Sequence, residues 1–152
     1  MIIRKAKISD LPRIMLLQKE LISFERRYDI SMRKDALYYP KKQLAASIKS
    51  QNANLLLVAD SKAVYGCCFG KITKSEGWDA HQKKGYIGLM YMHEIHRSKG
   101  YGKKMMQELL NWFMEKGIRE LQLNVYPKNN TAVSFYRSFG FQPHLMYMRK
   151  LD

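Results

Sequence analysis

The sequence predicts one α/β domain, a mixed sheet with helices on its faces. Three observations carry this. Short apolar runs of strand length are interleaved with longer runs of helical period. Their order is strand, two helices, a hairpin, then strand, helix, strand, helix, strand. The 152 residues hold no internal repeat and no low-complexity linker, which suits one domain burying roughly two-thirds of its unfolded surface.

Met1 to Lys7 reads as the first strand. Asp10 offers an N-cap and Pro12 a first-turn residue, and Leu11, Ile14, Met15, Leu21 and Ile22 then share one helical face to about Arg27. From Tyr28 to Tyr39 the period is lost in a loop mixing aromatics and charges, and Pro40 opens a second short helix carrying Leu44, Ala45 and Ile48 inward. Asn54–Ala59 and Val64–Thr73 read as a hairpin around Asp60-Ser61-Lys62, with Gly66 and Gly70 as bulge candidates. A polar connection, Ser75 to Lys84, leads to Tyr86–Met92, apolar and aromatic enough for a strand covered on both faces.

Arg97-Ser98-Lys99-Gly100-Tyr101-Gly102 then breaks the pattern, and Met105, Met106, Leu109, Leu110, Trp112 and Phe113 recur with helical spacing as far as Gly117. Arg119 to Tyr126 alternates as a half-buried strand that Pro127 ends. Asn129-Asn130-Thr131 opens a short helix closed by Gly140, and Phe141 to Leu151 reads as the sixth and last strand.

Composition excludes several classes. Apolar residues make up 46%, too many for a disordered chain. No apolar run approaches the length of a membrane span, and the start has neither a long hydrophobic region nor a small-residue cleavage site, so a cytoplasmic protein is expected. Adjacent Cys67 and Cys68 point to opposite faces of a strand and are expected to stay reduced. The net charge of +14 is spread along the chain, with 15 of the 27 cations in residues 1–76, and so does not single out nucleic acid or any other one partner. His93 and His96 stand three apart in a turn without a third ligand, and no metal site is expected.

The chemistry lies at the basic turn. A helix begins with four unpaired N–H groups and about half a positive elementary charge, so anions settle there. Gly100 and Gly102 let a ligand approach the backbone, and Arg97, Lys99, Lys103 and Lys104 add full charges, so a pyrophosphate fits. The turn lacks the Gly-Lys-Ser/Thr ending of a Walker loop and holds only part of a Rossmann pattern. Read alone, it is more simply a strand-to-helix turn that needs glycine for its geometry, since glycine-rich matches are common.

Some thirty residues further on stands Asn129-x-x-Ala132-x-x-Phe135-Tyr136-x-x-x-Gly140-Phe141. With Arg97-x-x-Gly100-x-Gly102 after a buried strand, this pairing resembles the GNAT superfamily of acyl-CoA-dependent N-acyltransferases, closely over residues 85 to 142. The resemblance implies a largely antiparallel sheet of six or seven strands, a splayed parallel pair formed by strands four and five, and about four helices. It implies acetyl-CoA as donor, with the Arg97, Ser98, Lys99, Gly100, Tyr101, Gly102 and Lys103 amides around the pyrophosphate. The pantetheine arm would run beside Met90, Tyr91 and Met92 and touch Asn129 near Ala132 and Tyr136. The Met92 amide would face the thioester oxygen, and Tyr136 would act as general acid toward the sulfur.

A primary amine must also lose a proton before attack. Glu94 and His93 lie just past the strand, while Glu25, Glu76 and Asp79 reach from elsewhere; a water path to bulk is the alternative. Glu94 stands where the family often has proline, His96 where an aromatic is usual and Ser98 where glycine is frequent; a carboxylate at Glu94 would repel CoA unless it points away. Tyr28, Asp29, Tyr38 and Tyr39, in the loop that selects acceptors in such proteins, suit a cationic small-molecule or peptide amine. Family members often form homodimers. The competing functions are a non-catalytic acyl-CoA-binding module and a basic nucleic-acid-binding domain.

Overall fold

In the computed structural model, which describes residues 1–152, Asp60 Oδ1 accepts the amides of Lys62 at 2.8 Å and Ala63 at 3.0 Å. This closes the predicted hairpin of β2 (Ala53–Ala59) and β3 (Val64–Lys74). β1 (Ile2–Lys5) pairs antiparallel with β2, and β4 (Lys83–Met92) antiparallel with β3. β5 (Leu121–Leu123) pairs parallel with β4, so five strands form one sheet in chain order.

Four helices cover it: α1 (Leu11–Glu25), α2 (Lys41–Lys49), α3 (Tyr101–Glu115) and α4 (Asn130–Arg137). Strand alternation sorts the core into two layers. Ile14, Leu17 and Leu44 of α1 and α2 pack with Leu57, Cys67 and Phe69, whereas Met105, Leu109 and Phe113 of α3 pack with Leu56, Cys68 and Ile87. The two cysteines therefore serve opposite layers, unbonded and buried. Each fully buried Leu or Phe contributes about 1.5–3 kcal/mol by leaving water. No helix is long and apolar enough to cross a membrane.

The parallel pair is short for an identifiable reason. β5 meets only Gly85, Tyr86 and Ile87 of β4. On the other edge of β4, Phe69 faces Leu89 and Gly70 faces Ile87, leaving Gly88 as an extra, bulged residue. The Tyr39 hydroxyl fills the space that a Cβ at Gly88 would need. Pairing of β4 with β5 thus stops where the bulge falls, and beyond Ile87 that edge of β4 is left open.

Two expectations need correction. Phe141–Leu151 is not a strand, so the sheet has five strands and not six or seven. β5 offers three residues to pair with, Pro143 lacks an N–H to donate, and Leu145 to Met148 stand 80–89% exposed. Asp10 does not cap α1 with its side chain; it holds Arg4 through two 2.8 Å bonds and the Lys7 amide at 2.7 Å, which ends the first strand at Lys5. The 28–39 loop is clamped where it ends, because buried Gln18 exchanges two 3.0 Å hydrogen bonds with the Tyr39 backbone.

Candidate active site

Between β4 and α3 the chain makes a 3₁₀ turn, Glu94–His96, and the Arg97 amide donates to the Glu94 carbonyl at 3.1 Å. Ser98 (φ 60°) and Gly100 (φ 83°) then turn left-handed. The first helical amide with a partner is Lys104, bonded to the Gly100 carbonyl at 3.1 Å. The six amides from Ser98 to Lys103 find no acceptor in the protein, and no side chain caps the helix. Alternating left-handed residues at a helix mouth form a concave anion nest, reinforced by the helix dipole.

Arg97 lies differently from the sequence expectation. Its amide is already used, and its Nε donates to the Met92 carbonyl at 2.8 Å. The guanidinium sits 5.0 Å from the Phe24 ring centroid and 5.6 Å from that of Tyr91. The cradle therefore starts at Ser98, and Arg97 ties the end of β4 to it. Glu94 is exposed, so it has room to point away from the turn.

Beyond Ile87 the edge of β4 that faced β5 is unpaired, and it runs up to this turn. His93 donates its amide to Tyr65 in β3 at 2.8 Å. By strand alternation the Met92 and Met90 amides face the other way, toward the gap. Tyr91 turns its ring into the α1 layer. Across the gap, Asn129 Oδ1 accepts the Ala132 amide at 3.2 Å and caps α4, as its side-chain chemistry predicts.

Tyr136, in the last turn of α4, packs edge-on against Phe135 and Phe141. Burial pushes its phenol well above the ordinary value, and the charges of Cys68, Glu25 and Tyr86 add to that. It is a protonated donor at neutral pH.

On the other wall, half-buried Glu25 ends α1 and accepts a hydrogen bond from Tyr38. Burial raises its carboxyl above the usual range, opposed by that phenol. Tyr126, just past β5, donates to Asp29 Oδ2 at 3.3 Å and stacks on Tyr28 with centroids 6.0 Å apart. Asp29 also takes Arg149 at 2.7 Å and the Ser31 hydroxyl at 2.6 Å, with Arg149 chiefly lowering its carboxyl to about 2.

Of the loop residues expected to select an acceptor, Tyr28, Asp29 and Tyr38 gather here, while Tyr39 is buried beneath β4 against Phe69. Tyr126 and Arg149 were not among the sequence expectations. Tyr126 belongs to a strand pattern that says nothing of its hydroxyl, and Arg149 to a tail whose path is tertiary. His96 packs on Tyr65 at 4.3 Å, and its ring lies 6.4 Å from that of His93.

The class these features define is a mixed α/β domain with a short parallel pair beside a helix mouth whose amides are open. A model of the acetyltransferase (GNAT) family matches residues 18–141, and the chain belongs to that family. It is 35% identical over 69 residues to the uncharacterised N-acetyltransferase YycN of Bacillus subtilis, covering 45% of this chain and 44% of that protein. The chain spans less than half the length of the curated relatives it matches. In fold it resembles a Bacillus halodurans protein at a TM-score of 0.84, with 18% identity and 99% of both chains covered. It also resembles a Clostridium acetobutylicum protein, called a predicted acetyltransferase and crystallised with acetyl-CoA. There the TM-score is 0.77 and the identity 16%, over 99% of this chain and 95% of that one.

Proposed function

We propose that this chain transfers an acetyl group from acetyl-CoA to a primary amine by direct attack in a ternary complex. One observation supports the reading above all: six open amides at the start of α3 and the β4 edge left unpaired beyond Ile87 lie in neighbouring elements, with Met90 and Phe135 of α4 both next to Gly102 and Tyr136 in the same apolar layer. The residues fit the donor's parts in sequence. The Ser98–Lys103 amides suit a diphosphate. The Met90 and Met92 amides suit an extended pantetheine chain, and Asn129 closes the far side.

When bound, acetyl-CoA supplies the thioester carbonyl. The Met92 N–H is the donor for the oxygen that gains charge on attack; where such a donor has been removed elsewhere, about 3–4 kcal/mol was lost. Tyr136 gives its proton to the leaving sulfur. Its packing between Phe135 and Phe141 holds the hydroxyl in place.

Thiol release from acetyl-CoA, measured across a panel of small and peptide amines, tests this. Tyr136→Phe is expected to lower kcat by on the order of 100-fold while leaving CoA affinity intact. CoA binding without turnover on any amine would instead make the chain a cofactor-binding module.

A further inference from the structure

Six carboxylates in this chain are partly buried: Asp10, Glu20, Glu25, Asp29, Asp79 and Glu120. Four are matched by cations, Asp10 by Arg4 at 2.8 Å, Glu20 by Arg13 at 3.0 Å, Asp29 by Arg149 at 2.7 Å and Asp79 by Lys84 at 3.3 Å. Glu120 takes the Gln122 amide at 2.6 Å, beside the paired part of β5 and away from the opening. Glu25 has only the Tyr38 phenol, in a chain of net charge +14. Taking a carboxylate partly out of water without a cation is unfavourable, so this arrangement calls for a functional reason.

The surroundings supply one. Phe24, the residue before Glu25, lies 5.0 Å from the Arg97 guanidinium, which holds the Met92 carbonyl at 2.8 Å, so the end of α1 that carries this carboxylate adjoins the open end of β4. The titratable groups around Glu25 are Tyr38 from the loop, Tyr126 beyond β5 and Tyr136 on α4, with Asp29 already neutralised by Arg149. None of these is a cation, and the Arg27 and Arg97 guanidiniums, 3.9 and 5.0 Å from the neighbouring Phe24 ring, form no ion pair with Glu25. The stacked faces of Tyr28 and Tyr126 add the aromatic surface that ammonium groups favour.

We infer that Glu25 pairs with the ammonium of the acceptor and takes its proton, and so selects an alkyl amine that is cationic at neutral pH. This presupposes acetyl transfer by the chain. The step balances as follows. Glu25 takes one proton from R–NH3+, and the freed lone pair forms the N–C bond. The C–S bond breaks with its electrons on sulfur, and Tyr136 protonates the sulfur. A second nitrogen proton restores Tyr136, and Glu25 releases its own to water. The products are an amide, the CoA thiol and one proton. A base of raised affinity for protons works best near the operating pH.

Benzylamine and aniline test the assignment, since they are similar in size while only benzylamine is an ammonium at neutral pH. Glu25→Gln is expected to lower kcat/KM for benzylamine by on the order of 100-fold, to leave aniline within about threefold, and to spare CoA affinity. Glu25→Asp should restore part of the benzylamine rate. Equal losses for both amines, or no loss for either, would overturn the role of Glu25 while leaving acetyl transfer standing. A wild-type chain that gives no heat with CoA would overturn the transferase function and this role with it.

Discussion

Arg97 donates from Nε to the Met92 carbonyl at 2.8 Å, so the residue that opens the glycine turn also fixes the end of the central strand. Two sets of amides, at Met92 and at Ser98–Lys103, are thereby held in one frame. The Phe24 and Tyr91 rings stand beside the guanidinium, with centroids 5.0 and 5.6 Å away.

Arg97→Ala is therefore expected to reduce stability by about 1–3 kcal/mol, the range for losing a charge-assisted hydrogen bond, and to impair turnover more than CoA binding. Arg97→Lys should not restore either, because an ammonium cannot stack and donate in the same plane. Denaturant midpoints and steady-state rates check this; full recovery by lysine would contradict it.

The two turn glycines should behave differently. Gly100 is left-handed (φ 83°), with nothing near the place a Cβ would occupy, so Gly100→Ala is expected to cost roughly 1–2 kcal/mol through backbone strain alone. At Gly102 a Cβ would rest at 3.5 Å from Met90 and 3.8 Å from Phe135, ordinary contacts inside a helix. Gly102→Ala should keep or raise the melting temperature yet weaken CoA binding, because the methyl enters the space beside the open strand edge. Thermal melts with and without CoA distinguish the two.

These two glycines also show what a sequence can carry. Helical period after Gly102, the Asn129 cap and the hairpin at Asp60 depend on near neighbours, and all were legible. The opening of the sheet was legible only through the family resemblance, since the Gly88 bulge needs the register of Phe69 and Gly70 and the hydroxyl of distant Tyr39. Alternation in Phe141–Leu151 suggested a strand, but a strand also needs a partner of matching length, and β5 is three residues long. Glu25 was one carboxylate among several until packing set it beside Tyr38, without a cation, one residue from the Phe24 ring that adjoins Arg97.

Burial raises the Glu25 carboxyl above its ordinary 4.5, so the folded chain holds that proton more tightly than the unfolded one. Stability contributed by this group is therefore lost as pH rises from 4.5 through the raised value. Glu25→Gln should melt higher than wild type at about pH 7, with the difference shrinking toward about pH 4. A variant that is less stable at neutral pH would mean that Glu25 is structural.

Asp29 runs the other way. Arg149, 120 residues along the chain, holds its carboxyl down to about 2, so this contact persists from neutral pH to well below the ordinary 3.8 and is lost as pH falls through about 2. In Arg149→Ala the Asp29 carboxyl, followed by NMR titration, should rise toward its ordinary value. An unmoved Asp29 would show that Ser31 and Tyr126 suffice.

Calorimetry comparing CoA with pantetheine, which lacks the diphosphate, tests most directly whether the Ser98–Lys103 amides grip an anion. Removing a diphosphate held by several charge-assisted hydrogen bonds should weaken binding by on the order of 100-fold or more. Equal affinity for the two ligands, or no heat with CoA, would contradict the assignment of this helix mouth.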